Sequence, residues 1–257
     1  MKKRKKDLLL IMPAYNEEAS IGKFLDQLEE TGVIEFADIL VIDDGSSDNT
    51  GLIVKDRNHA LIRHVYNLGY GAALMTGYKY AIRRNYQYVI QIDSDGQHDP
   101  CNILSIYREL KTEDEDGLHP DIVLGSRFLE GGKSFRISGL KKIAINAFRW
   151  LINLSTGIKI TDPTTGLQGL SRQAVLYYSI YSNFDLQFPD ANMLIQTMML
   201  GYRVKEVPAI MHSRESGKSM HHGLKPIIYM AHMFFSICAI WFRLRIMKND
   251  PKPIPRN

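Results

Sequence analysis

The stretch YVIQIDSDGQHDP, residues 88–100, joins a run of apolar and β-branched residues to a cluster of polar side chains. This pattern predicts a buried strand that ends at Asp93 and Asp95, which lie one residue apart. Two such carboxylates can approach one divalent cation, and Mg²⁺ or Mn²⁺ prefers oxygen ligands. We therefore expect a metal clamp here, with Gln97 offering a further oxygen. The alternative is a turn that begins the following helix, a role that Asp99 fits.

Outward from this strand, short apolar runs alternate with helical patterns through the first half of the chain. The predicted strands are Leu8–Met12, Ile39–Ile42, Leu61–Tyr66, Tyr88–Ile92 and Ile122–Gly125. Segments between them, such as EASIGKFLDQLEE and YGAALMTGYKYAIRR, carry apolar residues three and four positions apart, as amphipathic helices do. The alternation predicts an α/β fold with a mostly parallel sheet flanked by helices on both faces.

Polar clusters follow four of the predicted strands, namely PAYNEE, DDGSSD, DSDGQHD and SRF. Ligands of open parallel sheets bind beyond the carboxyl ends of the strands, so these clusters predict one shared binding site. Asp43 and Asp44 form a second acidic strand end, where a carboxylate can accept hydrogen bonds from a base or a ribose. An Asx-type turn is the alternative for this pair, and both interpretations can hold together.

The second half of the chain is less regular and ends in apolar helices. LKKIAINAFRWLINLSTG predicts an amphipathic helix that stops at Gly157, and short strands are expected around GLQGLSR and RVKEVPAIM. Residues 226–242 are mostly apolar and lie at the lower limit of what spans a bilayer. An interfacial helix, or one that docks on a membrane partner, fits this length better than a span. A buried core helix is the alternative.

Composition and charge place the chain among ordinary soluble globular proteins. Its 257 residues, 45% of them hydrophobic, suffice for one large domain or two small ones. A formal net charge of +4 does not suggest binding to nucleic acid. The basic clusters at Lys2–Lys6 and at Arg243 and Arg245 fit either attraction to an anionic membrane or plain solvation. Cys101 and Cys238 are far apart in the chain and are expected to be free thiols.

Seven motifs, in order, resemble glycosyltransferase family 2, and within it the dolichol-phosphate and undecaprenyl-phosphate sugar synthases. They are IMPAYNEEASI, VIDDGSSDNT, NLGYGAALMTGY, IDSDGQHDP, LGSRF, TDPTTGLQGLSR and EVPAIMHSRESGKS. The resemblance implies a Rossmann-like GT-A fold, a nucleotide-diphosphate sugar donor, an Mg²⁺ or Mn²⁺ ion and inversion at the anomeric carbon. We expect a basic tail at 1–7, the transferase domain at 8–220 and a membrane-associating helical segment at 221–257.

The resemblance also implies roles for particular residues. Those expected around the nucleotide and the donor are Pro13, Tyr15, Glu17, Asp43, Asp44, Asp93, Arg214 and Lys218. Those expected on the metal are Asp93, Asp95 and Gln97, and those expected at the acceptor phosphate are Arg127 and then Arg136 or Lys141. An arginine suits a phosphate because its planar fork matches the oxygens and stays charged. An ordinary ion pair is the alternative for Arg127 and Arg214.

Two departures from the family pattern bear on the acceptor. The second arginine expected after GSRF is represented only by Arg136 or Lys141, and a family lysine is replaced by Met220, with Lys218 nearby. These departures do not affect the prediction of sugar transfer. They leave two possible acceptors, a polyprenyl phosphate or a hydroxyl of a growing glycan. A hydroxyl would need a general base, for which Asp190 is the candidate, and an N-cap of the next helix is its alternative role.

We therefore expect a metal-dependent inverting hexosyltransferase of cell-surface glycan synthesis, peripheral on the cytoplasmic face of the membrane. Its expected catalytic residues are Asp95, Arg127, Asp190 and Arg214. Its expected partners are the donor, the lipid acceptor, the membrane surface, and a small membrane protein or a second copy of the chain. A phosphohydrolase fits less well because Gln97 stands where that chemistry wants threonine or valine. A non-catalytic nucleotide-sugar-binding subunit has little need of a metal clamp.

Overall fold

The structure is a computed structural model that describes residues 6–133, 139–213 and 225–246, and their side chains except at 140, 141 and 225–228. The strands within these ranges are β1 (Leu8–Ala14), β2 (Ala37–Asp43), β3 (Ala60–Arg63), β4 (Tyr88–Gln91), β5 (Ile122–Ser126), β6 (Gln168–Ser171) and β7 (Val204–Pro208). They form one sheet of order β3-β2-β1-β4-β6-β5-β7.

The sheet is parallel except at β6. Strand β1 pairs in parallel with β2 and β4, and β2 does so with β3. Strand β6 runs antiparallel to both β4 and β5, so β5 points the same way as β4. The carboxyl ends of β1, β2, β4 and β5 therefore lie at one edge, and the four predicted polar clusters meet there. The predicted α/β fold with a mostly parallel sheet is confirmed.

Helices cover both faces of the sheet. They are α1 (Ile21–Glu30), α2 (Val33–Phe36), α3 (Thr50–Asp56), α4 (Tyr70–Arg83), α5 (Cys101–Leu110), α6 (Gly139–Thr156), α7 (Arg172–Tyr178), α8 (Ala191–Met199) and α9 (Lys225–Trp241). Alternate residues of β1 point to opposite faces, as the pleat requires. Leu9 and Ile11 join a core with α4, α6, α7, α8 and α9, whereas Leu8 and Leu10 join a core with α1, α3 and α5.

Strand β3 ends three residues earlier than its sequence predicts. The apolar pattern extends to Tyr66, but the strand stops at Arg63, and Val65 is 96% exposed. The Val65 and Tyr66 side chains are exposed, so no neighbouring element buries this end of the apolar run. An apolar pattern favours a strand only where its side chains pack against a neighbour, and the pattern alone does not reveal whether one is present.

Helix α9 has two apolar faces with different fates. One face is buried against the core shared with α6 and α8, and its members are Met233, Ile237, Ile240 and, in the π-helical turn that follows, Leu244. The other face is exposed, with Phe234, Phe235, Trp241 and Phe242 at 44% to 70%. Within the described ranges no helix is both long and apolar enough to cross a membrane. The core interpretation of this segment therefore describes its buried face, and the interfacial interpretation of its exposed face stays a prediction.

Candidate active site

Asp93 lies just beyond β4, in a niche between helix α4 and the TDPTTG segment. The Tyr70 hydroxyl donates to Asp93 Oδ1 at 3.1 Å. Burial, and then the charge of Asp93, raise the pKa of Tyr70 well above its ordinary value, so the hydroxyl remains a donor. A Cβ at Gly166 would lie 2.5 Å from Asp93 Oδ2, so the glycine makes room for the carboxylate.

Asp95 and Gln97 lie in the turn after β4, which is bonded to the segment after β7. The Gln97 amide donates to Asp95 Oδ1 at 3.1 Å, which shapes the turn. The His212 amide donates to the Gln97 carbonyl at 2.7 Å, and Gln97 Nε2 donates to the His212 carbonyl at 3.2 Å. Because the side-chain nitrogen of Gln97, Nε2, is used in this contact, the side-chain oxygen is the atom that suits a cation.

His98 is buried beneath the same turn, with 3% of its surface exposed. Its Nε2 lies 3.6 Å from Asp93 Oδ2, beyond hydrogen-bond distance, and neither ring nitrogen has a hydrogen-bond partner in the part of the chain that the structure describes. Buried polar atoms nearly always have partners in native proteins. His98 therefore holds an unused donor beside the first carboxylate of the pair.

The oxygen donors at 93, 95 and 97 fit a hard divalent cation. No group of three or more His, Cys, Asp or Glu side chains in the described ranges could enclose a metal by itself. Mg²⁺ in nucleotide sites is usually held by one or two carboxylates together with substrate phosphates. The donor set and the room at Gly166 therefore suit a cation shared with a diphosphate rather than one enclosed by protein.

The loops after β1 and β2 are bonded to each other and form another wall of the same edge. The Asn16 amide donates to Ser46 Oγ at 3.0 Å, and the Glu17 amide donates to Thr50 Oγ1 at 2.8 Å. These bonds fix the PAYNEE and DDGSSD motifs as one unit. Tyr15 projects from it with 48% exposure.

Pro13 and Glu17 are more enclosed than Tyr15. Pro13 is buried within β1, opposite Ile42 of β2. The Glu17 carboxylate accepts a 2.6 Å hydrogen bond from the Ser20 hydroxyl at the start of α1. Their expected contacts with a nucleotide remain predictions.

Asp43 is fully buried and contacts both its own loop and the end of β3. Its Oδ1 accepts a hydrogen bond from the Ser46 amide at 2.8 Å, and its Oδ2 lies 3.2 Å from Arg63 Nε. The Asx-type turn considered for this residue is therefore present. A contact with a base or ribose would have to be made in addition to these bonds.

Asp44 is buried and holds the loop that follows β3. Its carboxylate accepts hydrogen bonds from the Leu68 and Gly69 amides at 2.9 and 2.8 Å and contacts His64 Nδ1 at 2.6 Å. Asp44 therefore fixes the position of the loop after β3 beside the carboxyl end of β2. Direct contact of Asp44 with the base stays a prediction.

Arg127 follows β5 and forms a bidentate ion pair with Asp162. The guanidinium donates from Nε and Nη2 to the two oxygens of Asp162, each at 2.6 Å, and Nη2 also reaches Thr164 Oγ1 at 3.1 Å. Asp162 is fully buried, and the Arg127 side chain is 12% exposed. The ion-pair alternative for Arg127 is therefore realised, and a contact with acceptor phosphate would use its remaining nitrogen, Nη1.

Glu206 of β7 fixes the backbone that carries Asp162. Its carboxylate accepts hydrogen bonds from the Thr161 and Asp162 amides at 2.8 and 2.9 Å. Thr161 Oγ1 donates to the same carboxylate at 3.0 Å. A half-buried acidic side chain on β7 thus orients the partner of Arg127.

Asp190 immediately precedes α8, but its carboxylate makes no capping hydrogen bond. It accepts a 2.5 Å hydrogen bond from the Tyr229 hydroxyl of α9 instead. Burial is the main cause that raises the pKa of Asp190 to about 6, and the charges of Asp162 and Asp93 act in the same direction. The charge of Arg127 opposes them, so all four groups share one region.

Four of the expected site residues are not placed by the structure. Arg136, Arg214 and Lys218 lie outside the described residues, and the Lys141 side chain does too. Conversely, Tyr70, His98 and Asp162 lie within the recognised motifs but have no role that the motifs alone predict. Their place in motifs that the resemblance already covers is the sequence signal for them.

Comparison with known proteins agrees with this geometry. The family model "Glycosyl transferase family 2" matches residues 9–177, about two thirds of the chain. The undecaprenyl-phosphate mannosyltransferase of Micrococcus luteus is 28% identical over 84% of this chain and 88% of that protein. The UDP-N-acetylglucosamine–dolichyl-phosphate N-acetylglucosaminyltransferase of Methanococcus voltae is 30% identical over 65% of this chain and 70% of that protein.

A solved structure shares the fold at low identity. Glucosyl-3-phosphoglycerate synthase from Mycobacterium tuberculosis, in complex with Mn²⁺, uridine diphosphate and phosphoglyceric acid, superposes with a TM-score of 0.65 at 18% identity. The match covers 93% of this chain and 80% of that one. The mostly parallel α/β sheet is therefore of the GT-A type. The chain belongs to glycosyltransferase family 2.

Proposed function

We propose that this glycosyltransferase moves a sugar from a nucleotide-diphosphate donor to a polyprenyl phosphate, with inversion at the anomeric carbon. One observation carries the proposal: the carboxylate pair at the end of β4 shares its sheet edge with Arg127, whose neighbour α6 exposes an apolar face. A polar reaction centre beside an apolar surface suits an acceptor that is a phosphate on a hydrocarbon chain. The relatives named for polyprenyl-phosphate acceptors support the same class.

Donor binding is assigned to the cleft between the β1, β2 and β4 ends. Asp93, Asp95 and the Gln97 oxygen would hold Mg²⁺ or Mn²⁺, which would offset negative charge on the departing diphosphate. Tyr70 and Gly166 keep the Asp93 carboxylate in its position. Pro13, Tyr15, Glu17, Asp43, Asp44, Arg214 and Lys218 retain their expected roles around the donor.

An acceptor phosphate needs no general base because it is already largely ionised near neutral pH. What it needs is a cation that keeps its charge, and Arg127 is fixed for this by Asp162 and Thr164. Its Nη1 contacts only the weak acceptor Met211 Sδ, at 3.9 Å, among the described residues. That nitrogen is the donor assigned to the acceptor phosphate, with Arg136 or Lys141 as the expected second cation.

The exposed apolar faces of α6 and α9 support the proposal of peripheral membrane binding. They present Ile143, Trp150, Leu154, Phe234, Phe235, Trp241 and Phe242 to solvent. Such faces, with tryptophan and arginine at their margins, lie in the headgroup region of a bilayer. We assign residues 221–257 and the basic tail at 1–7 to this contact and 8–220 to the transferase domain, on the cytoplasmic side. A small membrane protein or a second copy is a further partner that this surface accommodates.

A glycan hydroxyl as acceptor is the second candidate, and Asp190 is the observation that favours it. A carboxylate whose pKa is about 6 is a competent general base near neutral pH. Its side chain faces Tyr229 instead of capping α8. Asp190→Asn separates the candidates, since it should abolish transfer to a hydroxyl and leave transfer to a phosphate largely intact.

The function is tested with purified protein, Mn²⁺ or Mg²⁺, and a panel of radiolabelled nucleotide sugars. Label should enter undecaprenyl or dolichyl phosphate, and Asp95→Ala should abolish the transfer. Label found only in a glycan would contradict the lipid acceptor, and inertness with every donor would contradict an active isolated chain. A flotation assay with anionic vesicles, comparing the wild type with a Phe234→Ser/Phe235→Ser variant, tests the membrane contact separately.

A further inference from the structure

A cavity of about 520 Å³ lies next to the segment that carries Asp162, the partner of Arg127, and is open to solvent. Its walls come from α6, from the turn after β5 and from the segment that leads to Asp162. Phe128 and Trp150 supply aromatic surface, Arg149 and Lys159 supply positive charge, and Thr161 closes the inner end. Neither the donor cleft nor the proposed metal site uses any of these side chains.

Arg149 is held rigidly at this cavity. Its Nε donates to the Thr161 carbonyl at 2.7 Å, and Nη1 donates to Asn146 Oδ1 at 3.2 Å. Its guanidinium carbon lies 4.8 Å from the centre of the Phe128 ring, a cation–π distance. Thr161 is itself fixed by Glu206. A pre-organised arginine of this kind is suited to a phosphate because little freedom is lost on binding.

Arg127 and Arg149 contact two consecutive residues, Asp162 and Thr161, and both lie near the ring of Phe128. Arg149 binds the carbonyl of Thr161, and Arg127 binds the carboxylate of Asp162. The guanidinium of Arg127 lies 5.4 Å from the centre of the Phe128 ring that Arg149 also contacts. The wall of the cavity therefore adjoins the Arg127–Asp162 pair, and its two cations, Arg149 and Lys159, are additional to Arg127.

The mouth of the cavity opens on an apolar stripe along α6. Ile143, Trp150 and Leu154 are 62% to 68% exposed and, at intervals of seven and four residues, lie on one side of the helix. Trp150 belongs both to the stripe and to the cavity wall. A ligand that enters here meets positive charge at the inner end and apolar surface at the outer end.

We propose that this cavity is the subsite for the phosphate end of the acceptor lipid. Arg149 and Lys159 contact the phosphate before transfer, and the hydrocarbon chain lies along the α6 stripe from Trp150. The assignment rests on the proposed function, and it gives Arg149 the role of second cation for which the sequence offered Arg136 or Lys141. The occupant is an anionic isoprenoid amphiphile, and the site distinguishes it from free phosphate and from a neutral prenol.

Binding is measured through Trp150, one of two tryptophans in the chain. In a Trp241→Phe background, titration with farnesyl phosphate should give a saturable change in Trp150 fluorescence. Arg149→Ala and the exposed Lys159→Ala should each weaken binding roughly tenfold or more. Arg84→Ala is the matched control, because Arg84 also lies over an aromatic ring, at 5.5 Å from that of Tyr80, but far along the chain, directly after α4.

Comparison ligands decide what the cavity recognises. Farnesol and inorganic phosphate should bind at least tenfold more weakly than farnesyl phosphate. Equal binding of inorganic phosphate would reduce the cavity to an anion site, and equal binding of a short-chain phosphatidic acid would assign it to bulk phospholipid, so either result overturns the proposal. Unchanged affinity in both the Arg149 and the Lys159 variant would overturn it as well.

Kinetics separate this inference from the proposed function. With polyprenyl phosphate as acceptor, Arg149→Ala and Lys159→Ala should raise the acceptor KM while the donor KM and the rate of donor hydrolysis stay unchanged. Lipid transfer with an unchanged acceptor KM would leave the function standing and reject the subsite. Tight, Arg149-dependent binding of farnesyl phosphate without any transfer would reject the function and retain the subsite.

Discussion

The Tyr229 hydroxyl donates a 2.5 Å hydrogen bond to the Asp190 carboxylate and so connects α9 to the residue that precedes α8. Burial and the neighbouring carboxylate raise the pKa of Tyr229 above its ordinary value, so the tyrosine remains the donor. Further along the same helix, His232 Nε2 contacts Asp185 at 2.9 Å. The helix whose outer face is apolar is therefore tied by polar contacts to the region of the candidate base.

Replacement of Asp190 by asparagine should stabilise the protein at neutral pH. The folded pKa of about 6 exceeds the ordinary value, so the native state binds more protons than the unfolded chain between about pH 4 and 6. Wild-type stability should therefore fall as the pH rises through this range, and Asp190→Asn should not share that fall. We expect a gain of about 1 to 3 kcal/mol above pH 6 and none below pH 4. Urea unfolding at several pH values measures it, and a pH-independent difference would contradict the prediction.

Loss of the Asp162 carboxylate should destabilise the fold strongly. Asp162→Ala leaves the guanidinium of Arg127, only 12% exposed, without its buried partner. Breaking a buried ion pair from one side costs about 3 to 5 kcal/mol. Asp26→Ala is the matched control, since Asp26 forms a similar bidentate pair with Arg57 at the surface, and it should shift the unfolding midpoint far less. Equal shifts of the unfolding midpoint in the two variants would contradict the prediction that burial makes the loss of Asp162 more costly.

We expect His98 to lower the free energy of unfolding and to strengthen metal binding. Its buried ring nitrogens have no hydrogen-bond partner within the described chain, so His98→Leu should raise the unfolding free energy by about 1 kcal/mol or more. At the proposed metal site, the Nε2 atom lies 3.6 Å from Asp93 Oδ2, so loss of the imidazole next to this carboxylate should weaken Mn²⁺ binding about 10- to 100-fold. Mn²⁺ titration by electron paramagnetic resonance and thermal unfolding measure the two effects.

The matched control for His98→Leu is His64→Leu. His64 is bonded to Asp44 and Thr76, so its loss should destabilise the protein instead. A destabilised His98→Leu variant would show that His98 has a structural partner in solution. A stabilised variant with unchanged Mn²⁺ affinity would remove it from the metal site.

A methyl group at Gly166 should disturb Asp93 more than the fold. The added Cβ would meet Asp93 Oδ2 at 2.5 Å, and this oxygen can move because it ends a short side chain. Gly166→Ala should therefore lower Mn²⁺ affinity roughly tenfold with a modest change in melting temperature. Gly139→Ala, where nothing lies within 4 Å of the added carbon, should leave both unchanged. Native Mn²⁺ affinity in Gly166→Ala would place the cation away from Asp93.

The hydrophobic pattern of the sequence and the order of its motifs were enough to predict the sheet and the edge that carries the candidate site. The alternation of apolar strands with amphipathic helices predicted the parallel sheet, because burial on both faces requires that pattern. The polar residues at the ends of β1, β2, β4 and β5 predicted a shared site, because parallel strands bring their carboxyl ends together. Each inference depends on neighbours along the chain, which a sequence displays directly.

Tertiary structure alone decided how the charged groups are partnered. Arg127 and Asp162 are 35 residues apart, and Asp190 and Tyr229 are 39 apart, so no local pattern reveals either contact. The burial of one apolar face of α9 and the exposure of the other also depend on tertiary packing. Both faces consist of apolar residues, so the sequence does not show which of them packs against α6 and α8. The pattern of the sequence therefore determined which edge of the sheet carries the candidate site, and long-range packing determined which of its charged side chains are paired within the protein.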